Sequence, residues 1–68
     1  NQIDNLLSIH VYRLESINNT MISLINSWKN YLTQMLNMIN NNQRSNVSNI
    51  AGKFLSVTEQ IERQGCSL

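Results

Sequence analysis

An apolar residue recurs every three or four positions through the first forty residues, and this rhythm constrains the fold more than anything else in the chain. Leu7, Leu14, Met21, Trp28 and Met35 repeat at intervals of seven. Ile3, Ile17, Leu24, Tyr31 and Met38 repeat between them, with His10 the one interruption. In an α-helix this spacing lays a continuous apolar seam along one side. Water disfavours such a seam by ~25 cal/mol for each Å² left exposed. Another helix must therefore cover it, in the same chain or in another.

With Leu7 at heptad position a, the e positions are also apolar at Val11, Ile25, Leu32 and Ile39, with Asp4 and Asn18 as exceptions. A stripe of a, d and e positions is wider than a two-stranded zipper needs. It predicts contact with more than one neighbouring helix, as in a trimer, a tetramer or a bundle of hairpins. The chain has no proline, and its only glycines are Gly52 and Gly65. One helix of about residues 3–40 is expected, roughly 55 Å long at the standard rise. A break at Ser16-Ile17-Asn18-Asn19-Thr20 would instead make three helices and a monomeric bundle. The rhythm passes through Leu14, Ile17, Met21 and Leu24 without a slip, which favours continuity.

The run Asn40-Asn41-Asn42-Gln43-Arg44-Ser45-Asn46 holds no apolar residue and predicts a polar loop over 41–46. The rhythm then restarts at Val47, Ile50, Phe54, Val57 and Ile61, predicting a second, shorter helix over about 47–64. Ser45 or Asn46 would cap it, and Gly65 would stop it. Gly52 within it reads as a tolerated glycine or as a point of close backbone approach. The expected fold is all-α: a helical hairpin within an oligomeric coiled coil or helical bundle. The short arm would cover the seam from Trp28 to Ile39 and leave Ile3 to Met21 bare. Ile9, Tyr12, Ile22 and Leu36 lie off the stripe and suggest that the outer face is also covered.

Length supports association. Sixty-eight residues form one helical domain at most, or a fragment of a larger protein. Chains this short usually need a disulfide, a metal or oligomerisation. A single cysteine, Cys66, and a single histidine, His10, supply neither a disulfide within the chain nor a structural zinc site. Cys66 reads as an inconsequential thiol or as a cross-link between copies. The first residue, Asn1, is not methionine, which suggests a processed product, an excised domain or an ordered part of something longer. No apolar run approaches the ~18 residues of a membrane span, and these residues are not expected to touch a membrane directly.

Charge is sparse. Lys, Arg, Asp and Glu make up 13% of the chain, about half the usual ~25%. Twelve asparagines and many hydroxyl residues supply the polar surface instead. Such a surface suits a subunit held in an assembly or virion, or an extracellular domain, better than a free cytosolic monomer. Five basic residues without a run or stripe do not suit nucleic acid. There is no paired-carboxylate constellation, phosphate loop or His/Cys/Asp cluster. The chain is therefore expected to be no enzyme and to need no cofactor or metal.

The candidate association residues are Leu7, Leu14, Ile17, Met21, Leu24, Trp28, Tyr31, Met35 and Met38 on the long helix. The packing face of the short helix is Val47, Ile50, Phe54, Val57 and Ile61. His10, polar at a d position, reads either as a register-setting residue or as a pH-sensitive one, and Asn18 as a second register residue. Asn18-Asn19-Thr20 and Asn46-Val47-Ser48 match the glycosylation acceptor pattern. Asn46 is the candidate of the two, because Asn18 borders the seam.

The low charge, the asparagine-rich surface and the heptads resemble the heptad-repeat regions of class I viral fusion proteins, which join a long inner helix to a shorter outer one. The resemblance is one of composition and architecture, and it covers the heptads only. It implies a structural role in a viral or other large assembly, with protein as the partner: a homo-oligomer or the parent particle. The alternative is a regulatory module, a monomeric three-helix bundle that binds a partner through its Met and aromatic side chains.

Overall fold

The computed structural model of the chain describes residues 1–67. Two helices make up the fold, α1 over Gln2–Asn40 and α2 over Arg44–Cys66, and they fold back on each other as an antiparallel hairpin. The molecule is a rod of 62 × 15 × 12 Å. No strand occurs among the described residues, and no helix among them is long and apolar enough to cross a membrane.

α1 starts at a good cap. The Asn1 side-chain oxygen accepts from the Asp4 backbone N–H at 3.0 Å, satisfying one of the free donors of the first turn. The Asp4 carboxylate also sits where the helix dipole favours negative charge. From there α1 runs unbroken through Ser16–Thr20. The break that would give a three-helix bundle does not occur. Asn18, Asn19 and Thr20 are weak helix formers, but the seam on either side stays in phase and nothing removes a backbone donor.

The turn is tight. Asn42 takes a left-handed φ of 58°. The Gln43 N–H donates to the Met38 carbonyl at 2.7 Å and the Asn42 N–H to the Ile39 carbonyl at 3.2 Å. This is a Schellman closure with asparagine in the position glycine usually takes. Asn tolerates the left-handed region because its short polar side chain bonds locally.

Because this closure uses only Asn41–Gln43, the chain resumes helix at Arg44. The loop is thus shorter than the polar run suggested. Ser45 and Asn46 lie within the first turn of α2 rather than capping it, and Gln43 takes the cap position without a side-chain bond. Nor does Gly65 end the helix, which continues to Cys66. α2 is therefore 23 residues long, and its cover on α1 reaches further than expected. Met21 and Ile17 are half-buried beneath it, whereas residues 1–16 are exposed throughout.

Packing between two helices alone is thin. Every inward residue of α1 from Ile17 to Met38 remains half-exposed, and among the described residues Val57 is the only one buried. Trp28 locks the pair at mid-length. Its ring stacks on Phe54, with centroids 5.4 Å apart and planes inclined 29°. Its Nε1–H donates to Thr58 Oγ1 at 3.0 Å, and the Thr58 hydroxyl in turn donates to the Phe54 carbonyl at 2.8 Å. Trp28 thus marks where the short arm docks. On the outside, Arg63 donates to Glu59 at 2.9 Å, an exposed i,i+4 pair that contributes only a few tenths of a kcal/mol.

Gly52 meets no neighbour. A methyl group added there would have nothing within 4 Å, so no close backbone approach explains it. Gly52→Ala is expected to stabilise the hairpin by about 1 kcal/mol through helix propensity. A raised thermal midpoint in circular dichroism would register it; a lowered one would place an unseen neighbour at this site.

Candidate association surface

The seam is continuous in sequence but divided in the structure. From Ile17 to Met38 its residues, including Met21, Leu24, Trp28, Tyr31 and Met35, face α2 and are half-buried. They meet Val47, Ile50, Phe54, Val57 and Ile61, of which Val57 is buried and the others half-buried. N-terminal to Ile17 the same seam projects beyond the end of α2. Ile3, Leu7, Val11 and Leu14 stand exposed there, Leu7 at 61% and Leu14 at 54%. Leu6, Ile9 and Tyr12 add to the apolar surface of this arm.

The fifteen residues of the arm, Gln2–Ser16, span about 23 Å. An isolated helix of that length is marginal in water. Here it is continuous with a docked helix, which removes the nucleation cost and leaves the apolar face bare.

The two sides of the hairpin differ in character. One side carries Thr20, Ser27 and Gln34 on α1 and Asn46, Lys53 and Gln60 on α2, polar at every position. On the other side, Ile22, Leu36 and Ile39 of α1 and Leu55 of α2 are exposed. Between them runs an apolar groove of about 440 Å³ lined by Ile25, Trp28, Thr58, Ile61 and Glu62. A second groove near the turn is lined by Ile39, Arg44 and Val47.

Ile22 and Leu36 were visible in the sequence as apolar residues off the main stripe. That they share a face with Leu55 was not visible, because it depends on how α2 is rotated against α1. The contacts of Trp28 with Phe54 and Thr58 show that relation.

His10 lies on the exposed arm, in a shallow groove with Arg13, Leu14, Ile17 and Ser67. Asn46 is exposed, on the first turn of α2 rather than in the loop. Asn18 is exposed at the edge of the covered stretch. Cys66 is a free, exposed thiol in the last turn of α2. Among the described residues, no group of three or more His, Cys, Asp or Glu side chains is placed to hold a metal ion.

No family model, no curated protein and no solved structure matches the chain.

Proposed function

We propose that this chain is a non-enzymatic assembly module, which self-associates or docks through its heptad helices as a component of a larger structure. The observation that carries the reading is the bare arm. Ile3, Leu7, Val11 and Leu14 are exposed on the same seam that α2 covers from Ile17 onward. Scattered apolar residues are ordinary on a protein surface, but a contiguous strip of this size marks an interaction site. The low charge adds to it, since 13% charged residues give little electrostatic resistance to association. A viral or other particle is one setting that suits such a surface, in keeping with the heptad resemblance.

Amide hydrogen exchange tests this reading at the residues concerned. On self-association, protection over Gln2–Ser16 rises with protein concentration while the Trp28–Val57 region changes little. Arm amides that exchange at the same fast rate from micromolar to millimolar chain would contradict self-association.

A further inference from the structure

We infer that the face of α1 carrying Ile22, Leu36 and Ile39, exposed in the single chain, is covered by a second copy of this chain, packed antiparallel about a two-fold axis close to Ile22. The inference rests on the assembly reading above and specifies its partner, face and register. It starts from a strip along α1 at regular 4-3 spacing: Asp4, Ser8, Val11, Glu15, Asn18, Ile22, Ile25, Lys29, Leu32, Leu36 and Ile39. Residues so spaced share one side of a helix.

The half before Ile22 carries both acids, Asp4 and Glu15. The half after it carries the base Lys29 and most of the apolar residues. α2 presents Arg44, Ser48, Ala51, Leu55, Thr58 and Glu62 at matching spacing toward the same side, and Arg44 lines the groove at Ile39.

Charge and length together select the register. Trp28 contacts both Phe54 and Thr58, which puts Arg44 level with Asn40 across the hairpin. The levels of Lys29 and Arg44 are thus eleven residues apart along the rod, and Asp4 and Glu15 are also eleven apart. One antiparallel placement sets Glu15 against the partner's Lys29 and, at the same time, Asp4 against the partner's Arg44.

In that placement the arm of each copy lies along the apolar strip of the other, from about Trp28 to the turn. Arm and strip match in length, and Ile22 meets its own copy at the axis. Glu62, the other charge on this face, stands at the level of the axis and is exposed on the rim. A parallel in-register pair would place Lys29 beside Lys29 and Glu15 beside Glu15. A parallel pair staggered head to tail would satisfy the same charges but leave an open chain that keeps growing. Within one chain neither Glu15 nor Lys29 has an ion-pair partner among the described residues.

The test combines mass, charge reversal and cross-linking on the whole chain. Sedimentation should give a dimer. Lys29→Glu should raise its dissociation constant about tenfold, because each pair occurs twice in a two-fold dimer. Adding Glu15→Lys should restore the constant to within about threefold of the parent. In a Cys66→Ser background, Ile22→Cys should form a disulfide-linked dimer on mild oxidation, and Leu14→Cys should not. A monomer would overturn both this inference and self-association. A trimer, an open polymer, cross-linking through position 14 but not 22, or failure of the double reversal to rescue would overturn the antiparallel dimer and leave the assembly reading standing.

Discussion

Trp28→Ala is expected to cost the hairpin about 2–4 kcal/mol, enough to melt most of its helix at room temperature. Removing a large aromatic from a full core costs 3–5 kcal/mol, and Trp28 is only half-buried. It also forms the stack on Phe54 and the bond to Thr58, which contribute roughly 0.5–1.5 and about 1 kcal/mol respectively. Little else opposes unfolding, since Val57, at 9% exposure, is the most buried apolar residue among the described residues. Without α2 docked, α1 is an asparagine-rich helix of weak intrinsic propensity. Circular dichroism should show the loss directly. Thr58→Val, which keeps the shape and deletes the hydroxyl, should cost only about 1 kcal/mol. Equal effects from the two variants would show that the ring contributes nothing beyond its hydrogen bond.

The second large effect concerns the arm. Leu7→Asp combined with Leu14→Asp should reduce the protein to a 7.8 kDa monomer while the hairpin from Ile17 onward survives. Both leucines are more than half exposed in the single chain, so the hairpin loses little by their replacement. In an assembly each leucine would bury about 1.5–3 kcal/mol of apolar contact, and a carboxylate in its place would be desolvated at further cost. Each change should therefore weaken association by at least tenfold. Light scattering would follow the mass, and Trp28 fluorescence would report the hairpin. Unchanged mass would remove the arm from the interface. Loss of the Trp28 environment would mean that arm and hairpin fold as one unit.

The hairpin and its packed face were legible in the sequence for one reason: a half-covered helix writes its buried side at intervals of three and four. The continuity of α1 through Asn18-Asn19-Thr20 followed from that phase and not from propensity. The beginning of α2 was not legible. Arg44, Ser45 and Asn46 have no apolar residue to keep the rhythm, and three residues suffice for the turn because Asn42 accepts a left-handed backbone.

That shift, with the extension to Cys66, carried the cover back to Ile17. The same error of reach explains why the bare seam ends earlier than expected. The association surface was legible in part. Leu7 and Leu14 declared themselves through the heptad. Ile22, Leu36 and Leu55 gain meaning only once the Trp28–Thr58 contact fixes which sides of the two helices lie together.

Sedimentation equilibrium of the intact chain across the micromolar range bears most directly on the claim that the arm needs a cover. Reversible self-association is the predicted result, with a mass that rises from 7.8 kDa as concentration rises. A fully helical monomer that keeps its mass at the highest concentration reached would contradict it.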